Sequence, residues 1–576
     1  MSNSISFVYR RDVSSTRPSE SKPKLSFEEL ADLVSTLQTE VVAIKAERDT
    51  QVDSLQETIV NLAHENELLK RRLYGTKTER LRTSENQLAL GDLLNDNKQL
   101  QKQLDAAVAE AKSEGEKSSE PTPPPAPKAK PKGRRDLLSS DLPRFLVDLR
   151  DPKLEQTAKQ IGWDESPQLM YRRGGFAVLV KRTAKYEVPG KDGPTVLGVD
   201  LPETLFPRGL LHTSVVAYIL VQKFGLGVPH YRLEQHILDQ GVELDRGMMS
   251  RYVDEAGGSL GASIVHAMWQ DAIHNAAVIS TDATGALVQP EKRQDGQRQA
   301  CKKGHFFTAV VDCDHVLFAY TERHTQEAVR QLFGGFKGFL QSDASSVYDI
   351  LDRGPPKDVE ADDAVKLVGC WAHCRRYFFE AAICKHQVGL QGLLRIRAIY
   401  AADDSFRKLP PAKRKLARDE HVRPLIDGFF DWAKQTRLTQ HGRNLATKAL
   451  GYASNQEQEL RRVLLDGRLP LDNTRAERSL RKVVVGRKNW MFYGSNSHAE
   501  SAAAIFTLVA SCRLHGIDPQ QYFDEVMRAL PDWPKERYLE LSPKHWLATR
   551  GNLQQADLDS PLCAFVVPPA AFNFAR

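Results

Sequence analysis

Cysteine is scarce. There are seven in 576 residues, an odd number, and none precedes Cys301. Spread so thinly over so long a chain, they exclude a disulfide framework. Long apolar runs are also missing. The longest are stretches such as Val215 to Val221, far too short to cross a bilayer. Met1 to Arg10 holds no apolar segment of the kind that opens a secreted chain. The expectation is a cytoplasmic protein with no membrane partner. Extremes of charge are absent: 80 Lys and Arg against 74 Asp and Glu leave a net charge of +6. Such a mild basic bias suits nucleic acid without requiring it. What is present is an ordinary apolar fraction, 41%, on a chain long enough for about three or four domains.

The clearest periodicity runs from Leu30 to Leu73. Apolar residues at Leu30, Val34, Leu37, Val41 and Ile44 alternate in steps of four and three. The series skips at Arg48 and resumes at Val52, Leu55, Ile59, Leu62, Leu69 and Leu73. One extra step of four is a stutter in a heptad pattern. Asn66 falls on a core position, where a lone Asn fixes register and favours two strands. We therefore expect a self-associating coiled coil over 30–112, after an unstructured 1–29, and a homo-oligomer built through it. An amphipathic helix packed on its own chain is the alternative. Residues 113–135 are rich in Pro and Lys and read as an extended linker.

Residues 136–205 read as a small β-rich unit, with strands at Ala177–Arg182 and Thr183–Val188 or one longer strand. Residues 206–270 turn helical. The helices Tyr231–Gln240 and Arg246–Ala256, separated by Gly241 and a short turn, fit a helix-turn-helix. Arg246 and Arg251 would then meet phosphates or base edges. Plain helical packing accounts for the same pattern.

From Ala277 the texture changes. Three β runs, Val278–Asp282, Phe306–Asp312 and Val316–Thr321, follow in close succession. A helix, a fourth strand at Gly338–Asp343, a fifth at Val365–Cys370 and a helix at Arg375–Cys384 come next. Three adjacent strands and then alternating helix and strand is the order of an RNase H-like α/β fold. The whole is expected to be multidomain, α and α/β. Its core would comprise 277–384 and 468–515, with a long helical insertion at 385–467 and a tail at 516–576.

Three acids stand out, and each also has a structural explanation. Asp282 ends the first strand, with Gly285 placed for a turn. Asp343 ends the fourth strand, where an Asp is a natural helix cap. Glu477 has capping-box spacing from Thr474. Yet the first and fourth strands of such a fold are neighbours, and a late helix can bring Glu477 to their ends. Carboxylates so gathered repel one another unless cations lie between them. Their hard oxygens suit Mg²⁺ or Mn²⁺, and two such ions can clamp an in-line phosphoryl displacement. Arg478, Arg481, Lys482, Arg487 and Lys488 surround Glu477 with charge suited to DNA, and Arg375 and Arg376 are further candidates. Trp490 and Phe492, in contrast, read as core residues. Cys370, His373 and Cys374 are close enough to share a metal, but a structural zinc site takes four ligands, and no second cluster matches. We expect no zinc there, and His373 to lie beside the carboxylates.

At these residues the chain resembles the insertion sequence 66 family of transposases. Leu68-Leu-Lys-Arg-Arg-Leu-Tyr-Gly-Thr-Lys-Thr-Glu-Arg is similar to the end of that family's N-terminal zipper. Pro229-His-Tyr-Arg-Leu-Glu-Gln resembles its helical DNA-binding region. Cys370-Trp-Ala-His-Cys-Arg-Arg-Tyr-Phe, Leu471-Asp-Asn-Thr-Arg-Ala-Glu-Arg-Ser-Leu-Arg and Gly486-Arg-Lys-Asn-Trp resemble its most recognisable blocks. The resemblance implies a DDE transposase that cleaves and joins DNA with divalent metal. Its acidic triad would fall on Asp282, Asp343 and Glu477, with Glu500 the alternative third acid. It also implies action at the element's terminal inverted repeats and on target DNA, in a nucleoid-associated setting, with accessory proteins from the same element. Relatives often carry a cysteine-rich zinc-binding segment after the linker, and this chain has no cysteine there. A nuclease of similar fold, or a DNA-binding remnant without activity, are the competing readings.

Overall fold

The computed structural model describes residues 142–570, apart from 173, 191–192, 208, 291–298, 313, 353–364, 385 and 564. The expected coiled coil over 30–112 and the linker over 113–135 lie outside the described residues, and so does 1–29.

The first sheet is built on one long strand. β1 (Arg144–Leu149) and β2 (Lys159–Arg172) both pair with β3 (Gly175–Gly190), and β4 (Gly193–Gly198) pairs with the later half of β3. The two runs expected around Arg182 and Thr183 are thus a single strand. It is not an independent module. Leu169, Phe176, Val178 and Val180 join the same apolar core as Val215, Val216 and Ile219.

The second sheet has five strands in the order β7-β6-β5-β8-β9. These are β5 (Val278–Val288), β6 (Lys302–Val311), β7 (His315–Thr321), β8 (Phe339–Gln341) and β9 (Lys366–Val368). β5, β6 and β7 form an antiparallel meander, and β8 and β9 add to β5 in parallel. Parallel addition needs a crossover, and a helix at Gln326–Phe333 supplies it between β7 and β8.

Helices cover this sheet. α1 (Thr213–Leu220), α2 (His230–Leu238), α3 (Arg246–Leu260) and α4 (His266–Asn275) precede it. Gly241, at φ +78°, turns the chain between α2 and α3, where only glycine is unstrained. α5 (Trp371–Ile383) follows β9, and α6 (Thr474–Trp490) and α7 (Asn496–Leu514) come after the insertion. α7 is buried on nearly every side. Its Ser511 and Thr507 hydroxyls accept from the N–H groups of Val316 and Phe318 on the edge strand β7, at 3.1 and 2.8 Å. Those bonds occupy backbone donors that an open edge would leave unpaired. α3 packs on α7 so closely that a Cβ at Gly257 would stand 2.5 Å from Ser501 Cβ.

The stretch 385–467 is almost wholly helical. With α5 it makes a second core around Trp371, Phe378, Phe429, Phe430 and Leu450. The C-terminal segment read as 516–576 is folded where it is described. Pro519–Ala529 and Pro543–Gly551 are helices, and Tyr522, Phe523 and Trp546 are buried in the main core. Apolar residues spaced to one helical face draw this segment inward. Among the described residues no helix is long and apolar enough to cross a membrane.

Candidate functional site

The sheet register brings the first two acids together. Ser280 on β5 pairs with Gln341 on β8. Asp282 and Asp343 each lie two residues further on, level with one another at the same end of neighbouring parallel strands. Such strands run about 4.7–4.9 Å apart. Asp282 does not end its strand, as the sequence led us to expect. β5 continues to Val288 because β6 pairs with it on the other edge, Asp282 opposite Thr308. Asp343 caps no helix either. Its Oδ1 accepts from the N–H of Ser345 at 3.1 Å in a tight turn, with Ala344 at φ +63°. The next helix starts only at Asp349.

Glu477 arrives on the first turn of α6. The capping box anticipated from Thr474 is not formed. Thr474 is already helical, and its N–H donates to Asp472 Oδ1 at 3.1 Å. Asn473, fully buried, does the positioning. Its Nδ2 donates to the carbonyl of Thr281 at 3.2 Å, and its Oδ1 accepts from the Cys370 thiol at 3.0 Å. The start of α6 is thereby tied to the residue before Asp282 and to the residue before α5. Glu477 Oε1 lies 3.6 Å from His373 Nε2 and 4.0 Å from Arg376 Nη2. It is buried without a hydrogen-bond partner, as is His373 Nδ1.

The electrostatics follow from this crowding. Burial pushes the Asp282 carboxyl up to about 7. The N–H of Ala283 opposes that, while Asp343 and Glu477 add to it. Burial also lowers His373, against the pull of Glu477. The Cys370 thiol is pushed up to about 12 by burial, so it serves as a neutral donor. Three carboxylates with hard oxygens, one with an orphaned buried oxygen, are a donor set that suits a divalent cation of the Mg²⁺ or Mn²⁺ kind. As they stand, no three His, Cys, Asp or Glu side chains among the described residues are close enough to hold a metal ion.

The other candidates divide. Arg375 and Arg376 are exposed at the start of α5, Arg376 beside Glu477. Arg478, Arg481, Lys482 and Lys488 are exposed along α6. Arg487 turns inward instead, donating to Thr284 Oγ1 at 3.2 Å and to the carbonyl of Gly285. It ties α6 to β5. Arg246 and Arg251 are exposed on α3, whose Met249, Val253 and Leu260 are buried. Glu500 is exposed on α7 and bears on Tyr320, not on Asp282. Trp490 packs against Phe224 and Tyr493, but Phe492 is 43% exposed and is no core residue. Sequence reasoning missed Asn473 and Gln341. Gln341 is fully buried, accepting from Ser280 Oγ at 3.2 Å and donating to the carbonyl of Pro470 at 2.9 Å. A Gln inside the apolar run Phe339-Leu-Gln was the available signal, since a buried amide needs partners.

Comparison with known proteins converges on one family. The profile described as Transposase IS66 family matches residues 208–501. That described as IS66 C-terminal element matches 507–543, and one described as Transposase C of IS166 homeodomain matches 61–147. The chain is 28% identical over 393 residues to the uncharacterized protein y4qI of Sinorhizobium fredii, covering 66% of this chain and 71% of that one. It is 26% identical over 389 residues to the uncharacterized protein y4hP of the same organism, covering 64% and 68%.

Proposed function

The chain belongs to the IS66 transposase family, and from that membership we propose that it is a DDE transposase that cuts and joins DNA at Asp282, Asp343 and Glu477. One observation carries the proposal. Asp343 and Glu477, from two other elements, both bear on the buried carboxyl of Asp282 and favour its protonated form, with Arg376 the cation that opposes them. Like charges gathered in this way mark functional sites more often than structural ones. The sheet order β7-β6-β5-β8-β9 is that expected of an RNase H-like core, and supports the same reading. In it the core comprises 277–384 and 468–515, and the helical insertion is 385–467.

Asp282, Asp343 and Glu477 would hold the divalent ions. When bound, such ions activate an attacking oxygen and stabilise the leaving one in phosphoryl displacement. The protein's own groups do the rest. Asn473 fixes where α6 begins, and so where Glu477 points. His373 and Arg376 flank Glu477 and limit its rotation. Arg375, Arg478, Arg481, Lys482 and Lys488 present positive charge to phosphates. We propose that the element's terminal inverted repeats and target DNA are the substrates, and that Arg246 and Arg251 give a second contact with them. We further propose that self-association is through 30–112, and that accessory proteins of the same element take part.

The test is Glu477→Gln, assayed for cleavage and strand joining with Mg²⁺. Gln keeps the side chain's shape and removes the charge a cation needs. We expect a folded protein with activity lowered by at least about a hundredfold. Wild-type cleavage by that variant would remove Glu477 from the site. A nuclease would release cut DNA without joined products, and a binding remnant would shift DNA mobility and cut nothing.

A further inference from the structure

A pocket of about 550 Å³ opens between α6 and α7 over the antiparallel strands. Phe224, Phe318 and Phe506, all nearly fully buried, form its floor, and Ala510 and Leu514 are the more open apolar residues of its lining. Arg478, Lys482 and Arg513 stand among its lining residues, and no carboxylate does. Lys482 and Arg513 both donate to the carbonyl of Gly225, at 3.4 and 2.8 Å. Two cations thus share one neutral acceptor, and their charge is open to an anion. The volume falls in the range that small ligands fill. The lining asks for a flat apolar body with negative charge at its edge.

The register places this pocket next to the acids. Asp282 pairs with Thr308, and Thr308 pairs with Phe318. Residues paired across a sheet point to the same face. The ladder Asp282, Thr308, Phe318 therefore runs along one face, and two strand spacings make about 10 Å. A nucleotide neighbouring one held at Asp282 reaches that far.

We propose that this pocket receives one unpaired DNA base, its ring over Ala510 and Leu514 above that phenylalanine floor and its flanking phosphate on Arg478, Lys482 and Arg513. The inference rests on the transposase reading, because that reading puts DNA at Asp282. Every base has an apolar face, so the contact would be tolerant of sequence. Extrusion of a base costs least where the strand is already unpaired or distorted, which is the condition near a cut end.

The experiment measures binding of the full chain to two short single strands of equal length, one normal and one abasic throughout, by fluorescence anisotropy at fixed salt. The wild type should prefer the base-bearing strand by about tenfold. Ala510→Trp fills the pocket from α7, and Ala510→Leu does so with less bulk should the tryptophan impair folding. Either should abolish the preference and leave abasic binding unchanged. Arg478→Gln should weaken binding of both strands alike. Equal affinity of the wild type for the two strands would overturn the proposal, and so would a preference that survives the filled pocket in a folded variant. An acidic, phenylalanine-containing peptide that binds the wild type and not the filled variant, with no base preference in either, would assign the pocket to a protein partner instead. The transposase reading fails separately: cleavage retained by Glu477→Gln leaves any base preference untouched.

Discussion

Asp282 in the sheet and Asp403 in the helical insertion are both withdrawn from water, and the fold treats them in opposite ways. Asp403 accepts from Arg418 Nε at 2.6 Å and Nη2 at 3.2 Å, and from Arg414 Nη2 at 2.6 Å. Arg418 is itself fully buried and donates to the carbonyls of Val463, Asp466 and Leu469. Burial pushes Asp403 up, but the two guanidinium groups outweigh it and hold the carboxyl below its usual range. Burial raises Asp282 to about 7; the Ala283 N–H and Arg376 oppose the rise, and the carboxylates of Asp343 and Glu477 add to it. One acid is a closed structural knot. The other lies among groups of its own sign, as the proposed cation site requires. Burial raises both acids, and it is the sign of their neighbours that separates them.

The comparison can be broken or sharpened in graded ways. The largest effect is expected from Asp343→Asn. Asparagine can still accept from the Ser345 N–H, so the turn should persist. Mg²⁺-dependent cleavage should fall by at least about a hundredfold. Cleavage at the wild-type rate would take Asp343 out of the site.

Next comes Arg418→Met. It strands Asp403 in an apolar interior with Arg414 as its remaining partner, and should destabilise the insertion by about 3–5 kcal/mol. The urea midpoint of the full chain reads this directly. A shift worth less than about 1 kcal/mol would mean that the knot is decorative.

A smaller effect of opposite sign is expected from Asp282→Asn. A carboxyl whose folded pKa is raised makes the protein more stable when protonated. As pH climbs from about 4, its unfolded value, through about 7, that stability is lost. In chelator at pH 8, Asp282→Asn should therefore be more stable than wild type, by about 1–2 kcal/mol after allowance for partial exposure. At pH 4 the gain should vanish. Asp403 works the other way. Its depressed pKa gives stability that is present above about pH 4 and fades as pH falls through the folded value. A gain from Asp282→Asn that is equal at both pH values would contradict the assigned environment.

The smallest effect belongs to the surface of the same insertion. Lys415 pairs with Asp419 at 3.0 Å, four residues apart on a half-exposed face where Arg423 also meets Asp419. Lys415→Ala should change stability by no more than about 0.5 kcal/mol, which thermal unfolding would register as nearly nothing. A larger loss would show that exposed pairs matter here as the buried knot does.

Much of this was legible beforehand. Three β runs in close succession, then alternating helix and strand, pointed to the second sheet and its order. The three acids were singled out because each ended an apolar run or opened a helical one. Asp282 was misplaced at a strand end because nothing in Ile279-Ser-Thr-Asp-Ala-Thr-Gly announces that β6 will pair alongside and carry the strand on. The capping box was misread for a similar reason. Thr474 and Glu477 have the right spacing, but Asn473 is drawn away to Thr281 and Cys370, and the helix begins without the box. Arg487 looked like its basic neighbours until β5 supplied a carbonyl for it. The place of Tyr522 and Trp546 in the C-terminal segment is not legible locally, since it comes from the core they enter.

The sequence by itself determined the family and the approximate run of helices and strands, and it singled out the three acids as candidates, because periodicity and motif spacing are local properties of the chain. Only the tertiary structure decided which acid would be neutralised and which left exposed to its own kind. Charge state depends on distance and on the water removed around a group, and both are fixed by residues hundreds of positions away.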